Sequence, residues 1–143
     1  MDGTVDDRLL ALFGNEDWNS ESEKAGACDA ARACEDIAGA MANAALVDRS
    51  APKVCFWFVV SGTGLLAQVT GPSHERTVLI QRPILASRQI REIGVRGGPG
   101  HTVFVTLKAK SSADDLRWSG SGSSADTLLA FYRVVAKELR WES

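Results

Sequence analysis

The apolar residues of this chain change period near residue 50. Upstream, Ala27, Ala30, Cys34, Ile37, Met41 and Ala45 return at three- and four-residue intervals, which predicts one long helix from about Glu23 to Val47. The apolar face of that helix is mostly Ala, so its backbone is expected to approach a neighbour closely. Gly26 and Gly39 oppose an unbroken helix by about 1 kcal/mol each relative to Ala. Asp48-Arg49-Ser50-Ala51-Pro52 ends it, because Pro52 pushes the residue before it out of helical geometry. A shorter helix is predicted over Arg8–Phe13, started by Asp6 or Asp7 and stopped by Gly14-Asn15. The acidic stretch from Glu16 to Glu23, around Trp18, reads as the loop between them.

From Lys53 the pattern is that of strands. Val54–Val60 is aromatic and β-branched throughout, as a well-buried strand requires. Ser61-Gly62-Thr63-Gly64 turns it into Leu65–Thr70, and Gly71-Pro72-Ser73-His74 turns that into Arg76–Gln81. Pro83 ends this third strand or places it at an edge. Further strands are expected at Gln89–Arg96, His101–Lys110 and Leu116–Ser119, with Gly97-Gly98-Pro99-Gly100 as a turn. In the first of these, Ile93 and Val95 alternate and Ile90 does not. In the second, Val103, Val105 and Leu107 point one way and Thr102, Phe104, Thr106 and Lys108 the other, the pattern of an antiparallel sheet with one more exposed face. The last element is a clear amphipathic helix. Ser123 and Asp126 have the spacing of a capping box, and Ala125, Leu128, Tyr132, Val135 and Leu139 form an apolar face widened by Leu129, Phe131 and Ala136.

Strands closed by one C-terminal amphipathic helix, over residues 53–142, resemble the layout of pleckstrin-homology-like domains. The resemblance implies a bent antiparallel sheet or barrel with Leu128, Tyr132, Val135 and Leu139 plugging one open corner. Members of that superfold that bind phosphoinositides carry basic residues around the first hairpin, where several phosphates must be neutralised together. Here that hairpin is Ser61-Gly62-Thr63-Gly64, with only Lys53 at the far end of its strands. The chain therefore looks more like the protein-binding members. A second resemblance is to small acidic secretion chaperones of mixed α/β fold, which dimerise and hold an unfolded partner segment, although those place more helix after the sheet. The fold class expected is thus α+β, with an acidic helical segment over residues 1–50 packed on a PH-like β-rich domain over residues 53–143.

Charge sharpens this division. Residues 1–50 carry 11 acidic and 4 basic side chains, whereas residues 51–143 carry 7 acidic and 12 basic ones, so a net −7 faces a net +5. The overall net charge of −2 argues against general affinity for nucleic acid or anionic membrane. No apolar run approaches the roughly 18 to 20 residues that span a bilayer. The acidic N-terminus is expected to be neither a signal nor a transit peptide, and Asp2 stands where myristoylation needs Gly. Three cysteines without a CxxC pair form neither a disulfide framework nor a zinc knuckle. Cys28, Cys34 and Cys55 are expected as small core residues, and a cytoplasmic location is the default.

Candidate chemistry is sparse. His74 and His101 fall at turns and are expected to be exposed, and no HExxH, CxxC, EF-hand or nucleotide-binding glycine motif accompanies them. Ser119-Gly120-Ser121-Gly122 lacks the first Gly of a nucleophile elbow. No enzyme activity, cofactor or metal is expected. Arg76, Arg82, Arg88, Arg91 and Arg96 form a cluster suited to bidentate contacts with carboxylates or phosphates. It reads as a solvated sheet face, or as a receiver of acidic residues from Glu16-Asp17 and Glu21–Glu23 or from another protein. Nucleic acid is the weakest reading, with few Lys and no stacking aromatic pair nearby. Leu9, Leu12, Phe13 and Trp18 resemble hydrophobic–acidic peptides that dock in grooves, or else pack on their own domain. Trp141 is a second aromatic with a choice between a partner and edge packing. The function expected is a non-catalytic binding or adaptor module for a protein segment, acidic in character. The alternatives are anionic-lipid binding at an atypical basic site and a small dimeric chaperone, with homo-oligomerisation left open.

Overall fold

The structure is a computed structural model that describes residues 7–14, 16–49, 54–60, 65–71, 76–81, 85–109 and 115–138. The Ser61–Gly64 turn, His74, Arg82, Pro83, Leu139 and Trp141 lie outside the described residues.

The short first helix forms as expected. α1 (Asp7–Ala11) ends in a turn at Gly14, whose φ of 64° suits a residue without Cβ. The long second helix stops early. α2 (Glu21–Ala38) is capped at its start by Ser20, whose Oγ accepts the Glu23 N–H at 3.0 Å. It is closed by Gly39 in the left-handed conformation, φ 69°, donating its N–H to the Glu35 carbonyl at 2.9 Å. The chain then runs not as helix but as a strand, β1 (Ala42–Asp48). Its Ala-rich sequence has helical propensity, and tertiary pairing overrides it. β2 (Cys55–Val60) offers β1 a strongly β-prone partner, register Ala45↔Phe58 to Asp48↔Cys55.

β3 (Leu65–Thr70) and β4 (Thr77–Gln81) extend this sheet in the order β1-β2-β3-β4, antiparallel throughout. β5 (Leu85–Ile93), β6 (Thr102–Ala109) and β7 (Leu116–Ser121) form a second antiparallel sheet. The described strands are therefore two sheets and not one closed barrel, which corrects that expectation. The fold is α+β, with helices at both ends of the chain. The charge boundary near residue 50 falls between β1 and β2, inside the first sheet.

The final helix, α3 (Ser123–Glu138), packs against β6 and β7 and also against β1 and β2. It wedges between the sheets. Leu46, Trp57, Val59 and Leu66 from the first sheet meet Val103, Val105, Leu107 and Trp118 from the second around Leu128, Phe131 and Val135. Trp118 stacks edge-on against both Trp57 and Phe131, with centroids 5.4 and 5.2 Å apart. Such aromatic pairs add about 0.5–1.5 kcal/mol each beyond the area they bury. The opposite face of the first sheet is covered by α1 and α2, through Phe13, Cys28, Ala31 and Cys34 against Val47, Phe58, Val60 and Val69. Ser123 is already helical, with Gly122 (φ 62°) before it and the Ala125 N–H on the Gly122 carbonyl, so the expected Ser123 cap does not form.

Candidate functional site

The second sheet keeps one face toward α3 and turns the other outward. Cross-strand pairing sets out that outer face as rows, because residues directly opposite in an antiparallel ladder share a side. Ser87 lies opposite Lys108, Gln89 opposite Thr106 and Arg117, Arg91 opposite Phe104 and Ser119, and Ile93 opposite Thr102 and Ser121. Arg91, Lys108 and Arg117 are exposed, and no strand position of this face carries a carboxylate. Asp115 comes nearest in sequence, just ahead of β7. Among the described residues none of these three cations has an ion pair. Phe104 is 38% exposed and Ile93 45%, although both occupy strand positions. The Arg91 guanidinium sits 5.9 Å from the Phe104 ring centroid, and Gln89, Arg91, Phe104 and Thr106 line an open depression of about 230 Å³.

The Arg residues singled out from sequence do not all come to this face. Arg91 lies on it. Arg88 is on the opposite side of β5, 5.9 Å from the Tyr132 ring centroid of α3. Arg76 precedes β4 and pairs with Asp29 of α2 at 3.5 Å, away from the second sheet. Arg96 lies in the turn after β5 and holds Glu92 at 2.9 Å. Sequence reasoning missed Lys108, Arg117 and Phe104 as site residues. The signal for Phe104 was present, since it is an aromatic on the polar side of an alternating strand.

Acidic side chains of residues 1–50 meet a cation of their own segment. Arg49, just after β1, donates to Glu16 at 3.0 Å and to both Glu23 oxygens at 3.2 and 2.6 Å. Glu16 also accepts the Ser124 hydroxyl at 3.0 Å, tying the N-terminal segment to the start of α3. The hydrogen bonds from Arg49 hold the Glu23 carboxyl below its ordinary pKa against the opposing effect of burial. The sequence expectation that the later Arg cluster receives Glu16 and Glu23 is thus corrected. Leu9 and Phe13 are buried in the molecule's own core, with Leu12 and Trp18 packed beside them; Trp18 meets Phe13 edge-on at 5.2 Å. A partner would have to break this packing to reach Leu9 and Phe13.

His101 is not an exposed loop residue but is buried at the start of β6, with Nε2 3.0 Å from Glu92. Hydrogen bonds from Arg96 and then His101 bring the Glu92 carboxyl down to about 2. This fastens the turn between β5 and β6. All three cysteines are buried, and desolvation pushes the Cys34 thiol up to about 12, away from nucleophilic use. No group of three or more His, Cys, Asp or Glu placed to hold a metal ion occurs among the described residues, and no described helix is long and apolar enough to cross a membrane. No family model matches the chain, and neither a curated protein nor a solved structure does.

Proposed function

We propose that this chain is a non-catalytic binding module that recognises an acidic protein segment on the outer face of the β5-β6-β7 sheet. One observation carries the proposal: Arg91, Lys108 and Arg117 share with the exposed Phe104 a face whose strand positions hold no carboxylate. Carboxylates suit this site because Arg presents a planar fork to them. The exposed Phe104 and Ile93 supply the apolar contact that a peptide, unlike a free anion, can use. The pleckstrin-homology-like likeness belongs to this proposal at the level of element order, strands followed by one plugging helix, and its protein-binding members suggest the mode of use.

The test is fluorescence anisotropy with a labelled peptide of alternating glutamate and valine, on the full chain and on the variants Arg91→Glu and Arg117→Glu. Saturable binding that weakens with salt is expected, with a loss of about tenfold in affinity for each reversal. Unchanged binding in both variants would sink the proposal. So would stronger binding of oligothymidylate or of phosphatidylserine vesicles than of the peptide.

A further inference from the structure

The two sheets end differently at their edges. β1 is an edge strand whose backbone is already engaged: the Ala45 N–H donates to the Leu12 carbonyl at 3.0 Å, and the Ala42 N–H donates to the Glu35 carboxylate at 2.8 Å. β5 is also an edge strand, and among the described residues it pairs with β6 alone. An open strand edge is a template for another strand. Its side chains say which strand fits.

On the inner side of β5, Arg88, Ile90 and Glu92 succeed one another at two-residue spacing. Ile90 is 41% exposed there. The pattern is cation, apolar, anion, centred on Ile90. A two-fold interface needs a surface complementary to itself. If two β5 strands run antiparallel with Ile90 on the axis, Ile90 meets Ile90, and each Arg88 faces the Glu92 of the other copy. On the outer side the same register sets Gln89 against Arg91 and Ser87 against Ile93, with no like charges opposed. Both inner charges are held in place beforehand, Arg88 over the Tyr132 ring and Glu92 by Arg96 and His101. β4, the far edge of the first sheet, exposes Leu79 but has no charge pattern that would fix a register.

We propose that β5 pairs with the β5 of a second copy of this chain about a two-fold axis at Ile90, joining two three-stranded sheets into one of six. This inference is independent of the function proposed above. It also implies that the basic outer faces of the two copies become continuous.

Sedimentation equilibrium on the full chain, from about 1 µM to about 1 mM, tests it. A reversible dimer is expected, and opposite pairs of like charge should weaken it. Arg88→Glu and Glu92→Arg should each raise the dissociation constant at least about tenfold. Each variant alone opposes like charges, whereas mixing the two in equal amounts gives a heterodimer in which opposite charges face each other at both positions, so the mixture should recover the dimer. The double variant R88E/E92R restores both ion pairs and should restore the dimer. Ile90→Lys, which leaves both charged residues in place, is the check if Glu92→Arg disturbs the turn. The proposal falls if the wild-type chain stays monomeric throughout. It also falls if the double variant fails to recover, or if Leu79→Lys abolishes the dimer while Ile90→Lys spares it.

Discussion

The β1–β4 sheet and the β5–β7 sheet use strands of comparable length in the same antiparallel pairing, yet the first is covered on both faces at β1 and β2 and the second on one face alone. The difference lies in what occupies the second set of alternate positions. In β2 both sets are apolar, Trp57 and Val59 facing α3 while Phe58 and Val60 face α2. In β6 the first set is Val103, Val105 and Leu107, and the second is Thr102, Phe104, Thr106 and Lys108. A strand with two apolar sides calls for two covering layers, and α1–α2 and α3 supply them. A strand with one apolar side needs one layer and leaves its other face for contacts outside the molecule. The proposed binding face is therefore the part of the sheet system that folding does not use.

Paired substitutions break or sharpen this contrast. Phe58 is fully buried and contacts Phe13 edge-on, so Phe58→Ala is expected to cost about 3–5 kcal/mol in chemical denaturation. Phe104→Ala on the outer face should cost under about 1 kcal/mol in the same measurement. Equal losses would mean that the outer face is covered in solution. Next in size is Arg49→Ala, expected to cost about 3 kcal/mol because it leaves the buried Glu16 carboxylate without its cation. The same variant bears on acid sensitivity. A carboxyl whose folded pKa is depressed, as Glu23's is, stabilises fully above its unfolded value near ~4.3 and loses that contribution as pH falls through the folded value. Denaturation midpoints should thus fall below about pH 4, and more shallowly in Arg49→Ala than in the wild-type chain.

Gly94→Ala should be milder, about 2 kcal/mol, since φ is 83° there and an added Cβ would sit 2.7 Å from the Gly100 carbonyl oxygen. Thermal denaturation measures it, and loss of the Glu92–His101 contact in NMR spectra would show that the β5–β6 turn has opened. The smallest effect is on Glu92 itself. Carboxyl NMR should place its titration at about 2 in the wild-type chain, and Arg96→Gln should move it up toward the ordinary glutamate range. No upward movement would remove Arg96 as the main cause.

Much of this contrast was readable from residue spacing. The alternation across Thr102–Lys108 already marked the second sheet as one-sided, and the unbroken apolar run at Val54–Val60 marked a strand buried twice. The spacing of Ala125, Leu128, Tyr132 and Val135 gave the last helix and the face it buries. Residues 42–48 were misread because Ala carries no strand signature of its own. Only the left-handed Gly39 and the partner strand decide that segment, and the partner lies beyond Pro52 in sequence. The site was less legible. Arg76, Arg88, Arg91 and Arg96 are neighbours in sequence, but strand alternation and a turn send them in different directions. Lys108 and Arg117 join Arg91 only through register across β6, which no local pattern contains. His101 comes directly after Gly100 at a turn and reads as exposed, and it is the contact with Glu92, nine positions earlier, that draws it inside.

The wedge of α3 between the sheets has a consequence for how the chain matures. Translation delivers residues in order, so the first sheet can pair well before α3 leaves the ribosome. Until then Leu46, Trp57 and Val59, and after them Val103 and Val105, have no layer to lie against. The Glu16–Ser124 contact closes across 108 positions and must likewise come late. A nascent chain halted before residue 123 would present two sticky sheets and no lid. The most hazardous moment for this protein is therefore the short interval before its last helix arrives, when aggregation competes with completion.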